Sequence, residues 1–245
     1  MKTLAFASRN TKEILRDPLN LAFGIGFPLA ILFLLSIIQS NVPVSLFEIE
    51  NLVPGIAVFG FSFISVFSGM LIAKDRSTSF LMRLFSSPLT GANFILGYTL
   101  PLLPFAIVQS AICFIAAFFL GLTISVNVLI VFIVLIPTSI LFIGIGLLAG
   151  SLLTDKQVGG VCGALLTNLA AWLSGTWFDL NLVGGTFKQV AYALPFVHAV
   201  DAGKSALAGN YSGMFPHLWW VIGYATVIFI LAVLIFSKRM NSDAD

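Results

Sequence analysis

The sequence predicts an all-helical membrane protein with several spans, and three observations carry that reading. Hydrophobic residues make up 59% of the chain and charged residues only 9%, with a mean hydropathy of +1.06, outside the range of water-soluble domains. The apolar residues fall into long runs that match the roughly 20 residues a helix needs to cross a hydrocarbon core about 30 Å thick. The positive charges collect in alternate connections between those runs, which is how membrane proteins fix their orientation. Cys113 and Cys162 both lie inside apolar runs and read as small buried hydrophobes, with no pattern of a disulfide, metal or redox site.

Residues 1–17 form the first element. Arg9, Lys12, Glu13 and Arg16 share one side of a helical wheel, with Leu4, Ala7, Thr11, Ile14 and Leu15 roughly opposite. That pattern predicts an amphipathic interfacial helix, anchored by Arg9, Lys12 and Arg16 on an anionic inner leaflet. Pro18 then breaks the chain's direction, and residues 19–39 make a first span, retained rather than cleaved as a signal. A short loop with Glu48 and Glu50 leads to a second span, residues 52–73, where Phe59, Phe63 and Phe67 recur at every fourth position. Such a stripe packs on a neighbouring helix or on lipid; if it lines a path, it suits apolar or amphipathic cargo better than ions.

Residues 74–88, Lys-Asp-Arg-Ser-Thr-Ser-Phe-Leu-Met-Arg-Leu-Phe-Ser-Ser-Pro, are the longest polar interruption in the first half. Wound as a helix they place Phe80, Leu81, Leu84 and Phe85 on one side and Arg76, Ser79 and Arg83 on the other, and Pro88 closes the helix. A basic, aromatic-rich helix between two spans either rests on lipid headgroups or docks a cytoplasmic partner, and the pattern alone leaves both open.

The third span, residues 97–120, carries Pro101 and Pro104 in its first turns and is expected to kink there. The fourth, residues 126–150, ends on Gly144, Gly146 and Gly150, which permit close helix approach. After a loop with Asp155 and Lys156, the fifth span covers residues 158–177, with a small-residue pair at Gly159 and Gly163. Residues 178–217 hold apolar pieces too short to span, so half-helices, re-entrant or interfacial, are expected there. A sixth span over residues 218–236 precedes a short polar tail. With six spans, ten of the 12 Lys and Arg residues fall on one side and only Lys188 and Lys204 on the other, which puts both termini in the cytoplasm.

Several chemical patterns fail on their own terms. Gly203-Lys204-Ser205 resembles the end of a phosphate-binding loop, but His198 stands where that loop needs a glycine. Ser174 with His198 invites an intramembrane hydrolase, yet Trp172 occupies the first glycine position of a nucleophile elbow. His198 and Asp201, one turn apart, lack a third metal ligand and read as a polar cap. No charged side chain sits well inside a span, which argues against ion-coupled transport. Gln109 and Asn168 read first as interhelical hydrogen-bond partners.

Taken together, three stretches resemble the permease subunits of the type 2 ABC transporter superfamily, over almost the full length. Residues 9–18, Arg-Asn-Thr-Lys-Glu-Ile-Leu-Arg-Asp-Pro, are similar to the family's opening connecting helix. Residues 74–88 look like its coupling segment: Leu81, Leu84, Ser87 and Pro88 fit, whereas Ser79, Phe80 and Met82 replace the usual Gly, Thr and Glu. Residues 194–202, Leu-Pro-Phe-Val-His-Ala-Val-Asp-Ala, are similar to the Pro-bearing segment before its last span. The resemblance implies an exporter half in a bacterial cell membrane, moving an apolar or amphipathic substrate such as a drug, antibiotic or lipid. It implies a second permease copy or paralogue and two copies of a separate cytoplasmic ATPase that holds ATP and Mg, with no cofactor in this chain and no nucleic acid. Under it, Phe80, Leu81, Leu84 and Phe85 anchor the ATPase, Arg76 and Arg83 orient it, and Phe59, Phe63, Asn168 and Trp172 border the substrate route. Rival expectations are a membrane enzyme built on Ser174, His198 and Asp201, and a non-exporting self-resistance or sensor module.

Overall fold

The computed structural model of the protein describes residues 2–42, 44–78, 80–81 and 90–242. These residues are all helices and their connections, with no strand among them. Helix α1 (Lys2–Leu15) precedes α2 (Pro18–Asn41), α3 (Ile49–Ser77), α4 (Gly91–Phe119) and α5 (Asn127–Leu152). A helical run over residues 155–172, α6, leads to three short helices, α7 (Leu180–Val183), α8 (Gly185–Ala193) and α9 (Pro195–Leu207), and then to α10 (Tyr211–Ser242). Among the described residues five helices, α2 to α5 and α10, are long and apolar enough to cross a membrane.

Helix α3 is the hub: it packs against α2, α4, α5, α6 and α9. Its tightest neighbour is α5, and the reason is small residues. A methyl group on Gly146 would collide with Ser65 and Ser68, and one on Gly150 with the backbone of Gly69 and the side chain of Ile72. The two backbones therefore touch, and the Ser68 hydroxyl bridges them by donating to the Ile143 carbonyl at 3.2 Å. Cys113 and Cys162 are both buried in the apolar core.

The start of α2 is set by Asp17, whose carboxylate accepts from the Asn20 backbone N–H at 3.1 Å while Pro18 opens the helix. A π-helical turn over Ala22–Gly26 follows, where Gly24 lies against Phe67 and Phe105. Pro101 and Pro104 sit inside a continuous α4.

Three expectations change. The second span runs on through Lys74, Asp75 and Arg76 to Ser77, and the extended backbone of Thr78 ends it, so Arg76 does not share a helix with Phe80. The last helix begins at Tyr211, well before residue 218. Where the fifth span is expected, a helical run covers residues 155–172, opened by a capping box between Thr154 and Gln157, and it is not one of the five long apolar helices. Residues 178–217 do form short helices, and α9 is deeply buried, with Phe196, Val197 and Val200 packed in the core between α5, α10 and α3.

Candidate functional site

Helix α1, the C-terminal turns of α3 and the first turns of α4 meet at the end of the bundle that carries most of the basic residues, and α1 lies against α4. Its buried stripe is Phe6, Ala7 and Asn10, while Leu4 and Leu15 stay exposed. This face is rotated from the one expected, because the helix is seated on protein, against α4. Phe6 meets Phe94 and Tyr98 edge-on, with ring centroids 5.5 and 4.9 Å away. Asn10, fully buried, donates to the Gly97 carbonyl at 3.1 Å.

At the centre lies a charged joint. Arg9 reaches across to Asp75 in a two-pronged pair, Nη1 to Oδ2 at 2.5 Å and Nη2 to Oδ1 at 2.9 Å. The Tyr98 hydroxyl donates to the same Asp75 Oδ2 at 2.9 Å, so three helices share one carboxylate. Asp75 is only 5% exposed at its side chain, against 33% for Arg9. Burial works against the Arg9 charge, but the hydrogen bond and charge of Asp75 outweigh it and raise its pKa. Glu13 adds a second, looser ion pair at 3.7 Å. Over the outer face of the guanidinium lies the Phe80 ring, 4.3 Å from Arg9 Cζ and stacked on Phe6 with centroids 6.4 Å apart. Leu81 beside it is buried.

The sequence-predicted residues now have places. Arg9 turns inward to Asp75 while Lys12 and Arg16 remain exposed, so only the last two are free to face lipid headgroups. Arg76 donates to the carbonyls of Gly150 and Leu153 at 2.6 and 3.3 Å, closing the C-terminal end of α5, where a cation is favoured by the helix dipole. Arg239 reaches the neighbouring Leu152 carbonyl at 3.4 Å. Phe80 and Leu81 face the protein interior, whereas Arg83, Leu84 and Phe85 lie outside the described residues.

Phe59 and Phe63 form an aromatic cluster with Phe27 and Trp177; the Phe59 ring is 5.6 Å from Phe63 and 5.3 Å from Trp177. Asn168 and Trp172 lie on another surface, an exposed stripe of α6 with Val161 and Leu165. Neither expected interhelical hydrogen bond forms. Asn168 donates to the Ala164 carbonyl of its own helix, and Gln109 packs against Gly60 with its nearest polar contact the Cys113 sulfur at 3.5 Å. Gly159 and Gly160 have open space where a side chain would stand, and Gly163 has only Val66 nearby at 3.8 Å, so the small-residue pair does not pack within the chain.

The hydrolase constellation does not assemble: Ser174 bonds with Ala171 O and Thr176 Oγ1, and His198 pairs with His217 and the Tyr192 carbonyl. Gly203, Lys204 and Ser205 are interior residues of α9, a helix where a phosphate-binding loop would have to be. Asp75, Tyr98, Phe6 and Asn10 were not singled out by sequence. Asp75 had one local signal, an acid in the last turn of a long apolar helix, where the helix dipole disfavours it unless a cation answers.

Among curated proteins no match was found. A family model described as "ABC-2 type transporter" matches residues 1–207, most of the chain and all of the joint just described. The chain therefore belongs to the ABC-2 type transporter family, as a membrane-embedded transport permease.

Proposed function

We propose that this permease is one half of an ATP-driven exporter for an apolar or amphipathic substrate, powered by a separate ATPase that grips its basic end. The observation that carries the reading is the Arg9–Asp75–Tyr98 joint with Phe80 stacked above it. Phe80 and Leu81 are the described residues of the expected coupling segment, and both pack at this joint, so a push on that segment acts through them on α1, α3 and α4 together. The ATPase contact then falls to Arg83, Leu84 and Phe85, with Phe80 and Leu81 as the brace behind them.

Six crossings fit the path of the chain. Val158 of α6 lies against Gly69, while Thr176 just beyond α6 lies against Gly55, so this segment travels along α3 in the opposite sense. At 18 residues, α6 rises about 27 Å, close to a hydrocarbon thickness. The crossing returns the chain to the end where α10 begins beside α5, with Tyr211 donating to Asn127. Lys12, Arg16, Lys74, Lys156 and Arg239 then share the cytoplasmic side with both termini.

A second copy or a paralogue is taken to cover the open glycines of α6 and the stripe of Val161, Leu165, Asn168 and Trp172, with Phe59 and Phe63 near the route between copies. The test is co-purification from gently solubilised native membranes. The expected result is a partner chain carrying a phosphate-binding-loop ATPase whose hydrolysis depends on the permease. Recovery of the permease in active form without any nucleotide hydrolase would overturn the reading.

A further inference from the structure

The chain has two histidines, 19 residues apart in sequence, and the fold brings them together at the end opposite the Arg9–Asp75 joint. His198 Nδ1 and His217 Nδ1 are 2.7 Å apart, and His198 Nε2 is 2.9 Å from the Tyr192 carbonyl. A carbonyl only accepts, so His198 carries its proton on Nε2 and offers its Nδ1 lone pair; His217 must then donate from Nδ1. The pair joins α9 to α10 and, through the Tyr192 carbonyl, to α8. Helix α8 is otherwise held by the Tyr224 hydroxyl donating to the Ala193 carbonyl at 2.7 Å, by Lys188 donating to Asn181 at 2.7 Å, by Phe187 against Phe178 and by the buried Ala191, and Gly184 and Gly185 at its start hold positive φ values of 62° and 55°.

We propose that His198 and His217 form an acid-opened latch that holds α8 and the start of α9 against α10. A proton added at the remaining nitrogen of His217 would leave an N–H⁺···N bond intact. A second must go to His198 Nδ1, where it meets the His217 N–H donor to donor, and the two rings separate. Both rings are half-buried.

The surrounding groups set where this happens. On α9, Asp201 favours the charged rings, and Lys204 in turn pairs electrostatically with Asp201. From α8, the Tyr192 ring stands edge-on to His198 with centroids 5.8 Å apart, and Lys188 lies 5.8 Å over Tyr192. From α10, Trp220 packs on His198 with centroids 5.1 Å apart. Burial lowers the His198 pKa, with the charge of His217 acting in the same direction, and burial raises that of Asp201. The neutral form of His198 is therefore favoured in the closed state, and the closing contribution is lost as pH falls below the ordinary imidazole range.

The test uses the full chain in lipid nanodiscs. With only two histidines present, ¹⁵N-histidine NMR reads the latch alone. The expected spectrum at neutral pH shows one ring protonated on Nε2 and the other on Nδ1. Below the imidazole range both become imidazolium, and hydrogen-exchange protection of residues 185–193, corrected for intrinsic rates, falls at least about tenfold, the scale of one lost hydrogen bond. His217→Gln donates to His198 through its amide and can turn to accept when His198 is charged, so its protection should stay within about twofold across the same range. The proposal is overturned if both rings titrate while protection is unchanged, or if His217→Gln opens as the natural chain does. Should that variant not fold, the spectrum and exchange of the unaltered protein decide alone.

Discussion

Helix α3 is held in two different ways along its length. In its middle, Ser65, Ser68 and Gly69 meet Gly146 and Gly150 of α5 at backbone contact, with no charge and no room to shift. At its basic end, Asp75 is held by Arg9 and Tyr98 through long side chains and directed hydrogen bonds. A backbone seam of small residues tolerates one arrangement, because any slide forces atoms into one another. A joint of ionic and aromatic contacts can rotate and re-form. Under the proposed function, rearrangement enters at the basic end and the seam carries it onward as a rigid body.

The joint should be the more sensitive of the two to a single substitution. Arg9→Leu leaves the Asp75 carboxylate buried with Tyr98 as its remaining side-chain donor, and a broken buried pair costs roughly 3–5 kcal/mol. Thermal unfolding in detergent should show that loss, and Arg9→Lys, which keeps one charged donor without the two-pronged fit, should recover part of it. A smaller effect is expected on the seam. Gly150→Ala puts a methyl group into the Gly69 backbone and should destabilise by about 1–3 kcal/mol, while Gly223→Ala, in α10 with open space around it, should be neutral or slightly stabilising in the same assay. Equal costs at the two glycines would break the comparison.

Much of the fold was legible because hydropathy is local. The runs around residues 19–39, 52–73, 97–120 and 126–150 each contain enough apolar residues to declare a helix without reference to any other part of the chain. Gly146 and Gly150 were legible for the same reason, since small residues late in an apolar helix signal close approach. The joint was not, because Arg9 and Asp75 are 66 positions apart and each has a bland local explanation, one as a headgroup anchor and the other as half of a surface charge pair. The same holds for His198: its neighbour in sequence, Asp201, looked like its partner, and the fold supplied His217 instead. Residues 74–88 misled for a physical reason. Their polarity marked the end of the apolar run, but the helix ends where Thr78 turns extended, so Arg76 belongs to α3 and to the end of α5.

In the proposed mechanism the Arg9–Asp75–Tyr98 joint transmits force between a docked ATPase and the spans. Asp75→Asn tests it most directly, since the amide keeps the shape and still accepts from Tyr98 but abolishes the ion pair. Reconstituted with the co-purified ATPase in proteoliposomes, this variant should still bind its partner and remain folded, yet lose at least about tenfold of its transport-coupled ATP hydrolysis, the weight of a single charged hydrogen bond. Hydrolysis and transport equal to those of the natural chain, in a folded and partner-bound Asp75→Asn permease, would contradict the claim.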